Sequence, residues 1–343
     1  MTIGFDGSRA FPSTGSGQAG RTGTENYSYQ LLKALIKIDR KNRYIVYTRK
    51  TIPWRRFWTQ GGLALQTFKD RLDVLFVPAH TLPLIKRPGL KTVVTVHDLG
   101  SEYLPQMHQF KQRLYLSFMQ RYQLNSATRI IAVSKVTKND LVEKIGIDPK
   151  KIEVIYEGYD KEKFKYQKSN SKYGKYFLFV GTVQPRKNLE RIIKALAKLN
   201  DKLLIVGSRG WLSDEIYKLP KKLGIEDSVK FLGYVPDEKL PALYSGAAAL
   251  VFPSLFEGFG LPILEAQACG CPVITSNISS MPEVAGKGAI LVNPYSVDDI
   301  VKGMERVARE GERVKLIKRG FENVKRFSWE KCARETLKVL ENV

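Results

Sequence analysis

Two segments of the chain combine residue types and spacings that suit a phosphorylated, hydroxyl-rich ligand. The more specific one is Phe252–Glu265, with the sequence FPSLFEGFGLPILE. A predicted strand ends at Phe252, a glycine-rich turn follows, and Pro262 opens a helix at a position where its missing N–H does no harm. The positive end of a helix and its first N–H groups favour an anion. We expect four backbone N–H groups to face that spot, those of Gly258, Phe259, Gly260 and Leu261.

Two carboxylates flank this turn. Glu257 stands directly before it, and Glu265 is predicted in the first turn of the helix, with seven residues between them. Each carboxylate alone has a simpler explanation, because Glu265 would complement the helix dipole and Glu257 would be a solvated loop residue. For the segment as a whole we favour ligand binding, in which one carboxylate accepts hydrogen bonds from a sugar and the other from a ribose.

The second segment is Gly181–Asn188, GTVQPRKN, which also lies between a predicted strand and a predicted helix. Asn188 is expected to cap that helix. Arg186 and Lys187 place two cations beside the helix start, which suits a diphosphate because arginine binds two oxygens at once and lysine adds a point charge. The alternative is a solvated basic turn, which is common in a protein with a formal net charge of +22.

Among the three histidines, His97 is the strongest candidate for a functional role. It directly follows the predicted strand KTVVTV, and a histidine there would face a cleft between two domains. His80, at another predicted strand end, is a weaker candidate. The sequence contains no Asp-x-Asp pair and no His/Cys cluster at ligand spacing, so we expect no metal and no bound cofactor.

Aromatic and cationic residues alternate in two places. Either could bind a lipid-linked acceptor or rest on a membrane interface. In the predicted helix 110–124, burial is favoured for Tyr115, Phe118 and Tyr122, which recur at core spacing. The other cluster comprises Trp54, Arg55, Arg56 and Trp58. It is too short to face a core on all sides, so we weigh an acceptor or membrane role and a structural role equally.

The segment 15–20, GSGQAG, matches the dinucleotide fingerprint G-x-G-x-x-G in letters but not in context. It lies several residues beyond the first predicted strand, and no acidic residue closes the second strand, where a ribose partner is needed. An NAD-dependent oxidoreductase is therefore a rival interpretation, but this sequence lacks the acidic residue that such an enzyme needs to bind the ribose. We interpret residues 12–24 as a loop over the donor phosphates, with a plain mobile loop as the alternative for Gly15 and Gly17.

Positioning these residues requires parallel sheets. Many apolar runs are continuous rather than alternating, which is typical of strands buried on both faces, and helix-like segments separate them. A polar stretch, 159–175, has the composition of a linker. The predicted strands form two series, 2–6, 43–48, 73–77, 91–96, 129–134 and 153–156, and then 176–181, 202–207, 229–233, 249–252, 272–275 and 289–292.

These elements predict an α/β protein of two doubly wound, Rossmann-like domains facing a central cleft, where such folds bind ligands. The expected boundaries are 1–163 for an N-terminal Rossmann-like domain and 164–327 for a C-terminal one. A C-terminal helix, 328–343, is expected to pack back toward the N-terminal domain.

Composition limits the classes of protein that remain. Three cysteines without metal spacing predict buried, reduced thiols, and no secretory signal or membrane-spanning run is visible, so we expect a cytoplasmic protein. With 56 Lys+Arg against 34 Asp+Glu, the chain should attract phosphates. A nucleic-acid-binding protein is the second rival, but the basic and aromatic residues form no known recognition module, so we expect no nucleic-acid partner.

In this order and spacing, the two segments resemble the retaining glycosyltransferases of family 4, which have the GT-B fold. FLFVGTVQPRKNLERIIKAL, PSLFEGFGLPILEAQACGCPVITSNISSMPEVAG and FSWEKCARETLKVL carry the resemblance, and VVTVHDLG and GTENYSYQLLKAL match more loosely. The resemblance implies that Lys187 binds the donor diphosphate, Glu257 the transferred sugar and Glu265 the ribose, with His97 beside the sugar. It also implies that the backbone of Gly23 approaches the diphosphate. The N-terminal domain, 1–163, would then bind the acceptor, and the C-terminal domain, 164–327, the nucleotide sugar.

Family members often carry an arginine directly after the glycine matched by Gly181. This chain has Thr182 there, so either Arg186 fills the electrostatic role or the site is weaker. The implied reaction is metal-independent hexosyl transfer, with mannose or glucose favoured, from a GDP- or UDP-sugar to a glycan or lipid-linked acceptor. Association with an anionic surface at the inner face of a membrane is a further expectation from the net charge.

Overall fold

In the computed structural model, twelve parallel-paired strands form two six-stranded sheets within the described residues, 1–11, 22–49, 57–79, 81–99, 121–167 and 175–343. Every strand predicted from the sequence is present, with ends that shift by no more than a few residues. The prediction of two doubly wound α/β domains is confirmed at the level of strands, pairing direction and intervening helices.

The chain divides into two compact units. The first unit takes in the described residues up to Gly158 together with 329–343, and the second runs from Tyr159 to Ser328. The chain therefore passes into the second unit five residues before the predicted boundary at 163, and it returns to the first unit one residue after the predicted boundary at 327. Both crossings fall between regular elements, where few backbone hydrogen bonds tie neighbouring segments together.

The first unit contains a sheet with the strand order β2-β1-β3-β4-β5-β6. Its strands are β1 (Thr2–Asp6), β2 (Arg43–Tyr47), β3 (Val74–Val77), β4 (Lys91–Val96), β5 (Arg129–Ala132) and β6 (Ile152–Val154). Its α-helices are Gly23–Ile38, Ala64–Lys69, Lys135–Asp140 and Trp329–Glu341, and the π-helical turns Trp58–Leu63 and Leu141–Ile145 adjoin the second and third of these.

Continuous apolar strands explain why this sheet is covered on both faces. All four residues of β3 are buried, as are five of the six residues of β4. Local signals place the helices beside them. Thr22 and Glu25 form a capping box at the start of Gly23–Ile38, and the Ser134 hydroxyl accepts the Thr137 N–H at 3.1 Å at the start of the third helix.

The C-terminal helix Trp329–Glu341 belongs to the first unit and packs on the helix Gly23–Ile38. The rings of Tyr27 and Trp329 lie 5.8 Å apart edge to face, and Asn42 Nδ2 donates to Glu341 Oε1 at 3.1 Å. The final segment therefore completes the core of a unit whose remaining residues lie far earlier in the sequence.

The second unit has the strand order β12-β11-β10-β7-β8-β9. The strands that follow β7 are added first on one side of it, as β8 and β9, and then on the other side, as β10 to β12, so the strand order reverses between β7 and β10. Its strands are β7 (Phe177–Val180), β8 (Leu203–Val206), β9 (Val229–Gly233), β10 (Ala249–Phe252), β11 (Val273–Ser276) and β12 (Ala289–Val292). Its α-helices are Leu189–Leu196, Asp214–Lys222, Leu240–Gly246, Leu261–Ala268, Met281–Ala285, Val297–Val307 and Glu310–Val324. In such sheets the carboxyl ends of the two strands at the reversal are where ligands bind.

Two further sequence predictions can be compared with the fold. All three cysteines of the chain are buried and unpaired, as expected. Tyr122, expected in a core, is 57% exposed, whereas the neighbouring Gln123 and Leu124 are buried. Among the described residues, none of the helices has the length and apolar character needed to cross a membrane.

Candidate active site

Both predicted segments follow the two strands at the reversal point of the second sheet. Gly181–Asn188 comes after β7, and the segment that begins at Phe252 comes after β10. Because neighbouring parallel strands end at the same edge of a sheet, the two segments meet there. The Leu255 N–H donates to the Arg186 carbonyl at 2.9 Å and joins them directly.

Asn188 joins the same two segments through its side chain. It stands at the N-cap position of Leu189–Leu196 with a left-handed φ of 62°, but its side chain does not accept a helix N–H as we expected. Instead Asn188 Nδ2 donates to the carbonyls of Pro253 at 2.9 Å and Pro294 at 2.7 Å. The predicted cap is therefore wrong in its chemistry, because the amide oxygen that would accept a helix N–H accepts Arg191 Nη1 at 2.9 Å instead.

Two glycines let β7 and β8 end in close contact. Gly181 has φ +150° and Gly207 has φ +145°, both in the range that favours glycine. A Cβ on Gly207 would lie 2.0 Å from the Gly181 carbonyl oxygen, and one on Gly181 would lie 3.7 Å from Lys187 Cε. Because Gly181 has no side chain, the aliphatic part of the Lys187 side chain lies close to the Gly181 backbone.

Lys187, Arg186 and Glu257 form one buried ion cluster. Lys187 Nζ lies 2.5 Å from Glu257 Oε1, and Arg186 Nη1 lies 2.8 Å from Glu257 Oε2. Burial by itself would raise the pKa of Glu257, but the charges of Lys187 and Arg186, and their hydrogen bonds, lower that pKa from 4.5 to about 2. The carboxylate is therefore ionised at neutral pH, and the cluster of two cations and one anion carries one net positive charge.

The two cations are held by more than the carboxylate. Arg186 Nη1 also donates to the Phe256 carbonyl at 3.0 Å, and Lys187 Nζ lies 4.9 Å from the centre of the Phe252 ring. Such a contact between a cation and an aromatic face is attractive. Both side chains are thus preorganised at the strand ends, and the interpretation of this segment as a solvated basic turn is excluded for Lys187, which is 8% exposed.

Two serines that the sequence analysis did not single out fix the backbone of Glu257. The hydroxyls of Ser279 and Ser280 donate to the Glu257 carbonyl at 2.7 and 2.9 Å, and Ser280 also reaches the Phe259 carbonyl at 2.8 Å. Ser279 adopts a left-handed φ of 58°. Because these contacts link the loop after β11 to the loop after β10, they orient the Glu257 side chain toward the cations.

The glycine-rich turn leads into the helix Leu261–Ala268. Gly260 has φ +112° and occupies the N-cap, and Pro262 is the second helical residue. The N–H groups of a first helical turn have no partner within the helix. Gly258, Phe259 and Gly260 are all buried, and the Phe259 ring lies 5.8 Å from Phe327 edge to face. The Phe259 side chain is therefore part of the packing.

Glu265 lies in the second turn of this helix, as its fifth residue, and not in the first turn as we predicted. At that depth it does not cap the helix, and the interpretation as a simple dipole partner is excluded. Its Oε2 accepts the Tyr244 hydroxyl at 2.8 Å. Burial raises the pKa of Glu265 to about 7, against the lowering effect of the Tyr244 hydrogen bond.

Thr182 is exposed at the end of β7 and brings no charge to the site. Arg186 stands four residues later and shares the carboxylate of Glu257 with Lys187. The second cation of this site is thus Arg186.

His97 belongs to the first unit, directly after β4, and is 7% exposed. Its Nδ1 lies 3.2 Å from Glu157 Oε1 and its Nε2 lies 3.1 Å from the Pro78 carbonyl oxygen. The Tyr27 ring packs on it edge to face at 4.6 Å. Both ring nitrogens therefore already have protein partners, a feature that the sequence pattern did not predict.

The remaining predicted site residues have different outcomes. Gly23 is the first residue of the helix Gly23–Ile38, exposed, with open space around its α-carbon. The prediction of an acceptor or membrane role for Trp58 is wrong. Its side chain is 4% exposed, packs in the core of the first unit and donates from Nε1 to Asp6 Oδ1 at 3.0 Å. Outside the described residues lie Trp54, Arg55, Arg56, His80, Gly15, Gly17, Tyr115 and Phe118.

In the part of the chain that the structure describes, no group of three or more His, Cys, Asp or Glu side chains is placed to hold a metal ion. Sequence reasoning missed Tyr244, Ser279, Ser280 and Gly207. Gly207 had a detectable signal, since IVG at the end of β8 repeats FVG at the end of β7. Tyr244 had none, because an apolar helix predicts a buried ring without indicating where its hydroxyl points.

Comparisons with known proteins agree with this geometry. Residues 160–323 match the family model described as "Glycosyl transferases group 1", and residues 21–163 match "Glycosyltransferase Family 4". The O-antigen chain mannosyltransferase B of Escherichia coli is 32% identical over 83% of this chain and 76% of its own length. The chain therefore belongs to the group 1 glycosyltransferases of family 4.

Solved structures show the same fold at lower identity. Sucrose-phosphate synthase from Thermosynechococcus elongatus superposes with a TM-score of 0.82 at 21% identity, over 100% of this chain and 98% of that one. The Anabaena protein Alr3699/HepE, determined with UDP and glucose, gives a TM-score of 0.74 at 18% identity with full coverage of both chains. These matches establish the GT-B fold of the chain.

Proposed function

We propose that this glycosyltransferase moves a hexose, of mannose or glucose type, from a GDP- or UDP-sugar to a glycan or lipid-linked acceptor. The transfer proceeds with retention of configuration at the sugar carbon and without a metal ion. The ion cluster of Lys187, Arg186 and Glu257 is the observation that carries the proposal, because it places a net positive charge at the carboxyl ends of β7 and β10.

Leaving-group stabilisation is the task we assign to this cluster. When the bond between the sugar C1 and the β-phosphate oxygen breaks, negative charge builds on the diphosphate. Lys187 and Arg186, with the first N–H groups of Leu189–Leu196 and Leu261–Ala268, are preorganised donors for that charge. In many phosphate sites Mg²⁺ supplies this positive charge, whereas here two side chains and two helix ends supply it.

The acceptor oxygen forms its bond to C1 as the diphosphate departs, and the acceptor hydroxyl loses its proton. Glu257, with a pKa of about 2, is a poor proton acceptor and, paired with two cations, a poor nucleophile. The departing diphosphate oxygen is the stronger base, so it takes the proton. Attack from the face that the diphosphate leaves gives retention without a covalent glycosyl-enzyme.

Glu257 and Glu265 divide the recognition of the donor in this proposal. Glu257 accepts hydrogen bonds from the transferred sugar, and Glu265, held by Tyr244, accepts them from the ribose. Arg186 takes the place of the arginine that is absent at Thr182. For Gly23 and His97 the roles stay those that the resemblance to the family implies, a backbone donor to the diphosphate and a group beside the sugar; the His97 ring is held by Glu157 and Pro78.

The relatives support the sugar and the nucleotide. The Escherichia coli relative is named a mannosyltransferase of the O-antigen chain, and the Anabaena structure contains UDP and glucose. A hexose is common to both, mannose in the first name and glucose in the second. With three buried, unpaired thiols, the protein suits a reducing compartment, and we propose that it works in the cytoplasm at the inner face of a membrane.

A donor screen tests the proposal. UDP-, GDP- and ADP-sugars are titrated into the protein, and the donor that binds best is then incubated with glycan acceptors. NMR of the first product formed shows the configuration at C1. Retention is expected, while an inverted product would overturn the mechanism. Lys187→Met serves as the inactive variant, because it keeps the aliphatic part of the side chain and removes the charge. It should abolish most transfer while the protein still melts cooperatively.

A further inference from the structure

An exposed basic surface lies on the helix Glu310–Val324 of the second unit, away from the residues assigned above. A groove of about 580 Å³ runs beside this helix. Its cationic lining comprises Lys287, Lys315, Lys318, Arg319 and Arg326, and its one acidic lining residue is Glu322. We call these six residues the basic groove.

Two stripes of side chains face outward from this helix. Residues four, three and four apart share one side of a helix. The first stripe alternates apolar and cationic residues and consists of Val314, Lys318, Phe321 and Lys325. The second is polar and consists of Lys315, Arg319, Glu322 and Arg326. Leu316, Gly320, Asn323 and Val324 form the opposite, buried side.

The groove is rigid at its base. Asn323 Nδ2 donates to Gln267 Oε1 and to the Val284 carbonyl, each at 2.8 Å, and its Oδ1 accepts Arg326 Nη1 at 2.7 Å. Gly286, with φ +56°, approaches so closely that a Cβ there would lie 2.4 Å from Asn323 Oδ1. This approach places the neighbouring Lys287 beside the helix and adds its charge to the groove.

Most of this charge is not neutralised locally. Glu322 pairs with Lys325 at 2.8 Å, outside the groove itself. Within the described part of the chain, no carboxylate forms an ion pair with Lys287, Lys315, Lys318 or Arg319. Four adjacent exposed cations create a local positive potential that attracts an anionic partner.

The apolar residues identify the kind of partner. Val314 is 57% exposed and Phe321 is 37% exposed, between the lysines of the first stripe. Nucleic acid or an acidic glycan would match the cations but would offer nothing to an exposed valine. An anionic bilayer offers phosphates to the cations and an apolar boundary to Val314 and Phe321.

We infer that the basic groove and the stripe Val314–Lys325 dock on an anionic phospholipid surface. The contact is independent of the transfer reaction proposed above. It brings the helix Leu261–Ala268, which carries Glu265, within one helix of the bilayer, because Gln267 joins the two helices through Asn323. A lipid-linked acceptor would be presented in the same plane.

Vesicle flotation without donor tests this inference. Vesicles of phosphatidylcholine and phosphatidylglycerol in equal parts are compared with phosphatidylcholine alone. Binding to the anionic vesicles only is expected, with loss at high salt. The combined variant Lys315→Gln, Lys318→Gln, Arg319→Gln should bind about tenfold more weakly or worse, since each cation near an anionic surface contributes roughly fivefold.

A matched control removes the same charges elsewhere. Lys33→Gln, Lys37→Gln, Arg40→Gln takes two lysines and one arginine from exposed positions of the first unit and should keep most of the binding. Val314→Ser should weaken binding severalfold, whereas Leu65→Ser, at another exposed apolar position, should not. Melting curves show that each variant is folded.

The outcomes separate the alternatives. Equal loss in the groove variant and its matched control would overturn the inference, because net charge alone would then explain binding. Unchanged vesicle binding by the groove variant would overturn it as well. Binding of single-stranded DNA is measured with the same variants. If the groove variant loses binding to DNA but keeps binding to vesicles, the partner of the basic groove is a polymeric anion and not a bilayer. Transfer to a soluble acceptor, measured in parallel, should be unchanged in the groove variant, so failure of the proposed reaction would be seen separately.

Discussion

The ammonium group of Lys187 lies 2.5 Å from the carboxylate of Glu257, although the two residues are 70 positions apart in the sequence. Arg186 contacts the other oxygen of the same carboxylate. The cluster joins the ends of β7 and β10 and keeps one net positive charge, and we propose that a diphosphate binds there. It is the part of the site from which most of the consequences for activity can be argued.

Removal of the Lys187 charge should reduce turnover far more than donor binding. Lys187→Met keeps the stem over Phe252 but takes away a charge that matters most as the leaving group becomes negative. By analogy with deletion of one transition-state donor, kcat should fall by about 10²–10³-fold. Steady-state transfer assays measure this. Lys194→Met, at an exposed lysine paired with Glu190, is the matched control and should be close to the parent; a similar kcat for both variants would contradict the role.

The two glutamates should fail in different ways. Glu257→Gln leaves Lys187 and Arg186 without their anion, so free nucleoside diphosphate should bind at least as tightly as before while transfer is lost. Glu265→Gln should instead weaken binding of the bare nucleotide, because the ribose is the partner that we propose for Glu265. Calorimetric titration of UDP and GDP into both variants distinguishes them. Equal losses of nucleotide affinity would show that this division is wrong.

Nucleotide affinity should depend on pH through Glu265. Its folded pKa is raised to about 7 from 4.5, so the protonated form is favoured by folding, and its contribution to stability is present below about 4.5 and lost as pH rises through 7. The ionised form accepts stronger hydrogen bonds from a ribose, so affinity should rise about five- to tenfold between roughly pH 6 and 8.

The control for that pH dependence is the same titration with Glu265→Gln. The phosphates of the nucleotide titrate in both proteins, so only the difference between the two curves reports on Glu265. Tyr244→Phe should move the midpoint of this difference to higher pH, since the Tyr244 hydrogen bond lowers the pKa of Glu265. Identical curves for the parent and Glu265→Gln would remove this carboxylate from ribose recognition.

Activity should survive excess EDTA, because two cationic side chains and two helix ends are proposed to do the electrostatic work of a metal. The assay is transfer from the best donor before and after chelation, followed by addition of Mg²⁺ or Mn²⁺. Loss of activity in EDTA that either ion restores would mean that the phosphate site has been misinterpreted.

The close approach of β7 and β8 makes Gly207 a sensitive position for stability. In Gly207→Ala the new Cβ would lie 2.0 Å from the Gly181 carbonyl, and backbone cannot move aside cheaply, so destabilisation of about 3 kcal/mol or more is expected. Gly224→Ala is the control, since it has φ +67° but open space, and should cost only about 1–2 kcal/mol. Urea denaturation compares them, and equal costs would show that backbone conformation alone matters.

Much of the fold was predictable because it depends on local patterns. Runs such as FLFV and LLIV are continuous and apolar, and only strands covered on both faces use such runs so regularly. Glycine and proline predicted the turn before Leu261, because few other residues adopt those backbone conformations. The lysine and the two glutamates of the site were found by the same means, as charges beside predicted helix starts.

The sequence by itself determined which elements form and which charged residues stand at their ends. Only the tertiary structure decided how those residues are used. It paired the Asn188 amide oxygen with Arg191 instead of a helix N–H, buried Trp58 against Asp6, and placed the Tyr244 hydroxyl on Glu265. The physical reason is that a buried polar group must find a partner, and the partner in each case is brought near by strand order and packing across many residues, which a local pattern does not contain.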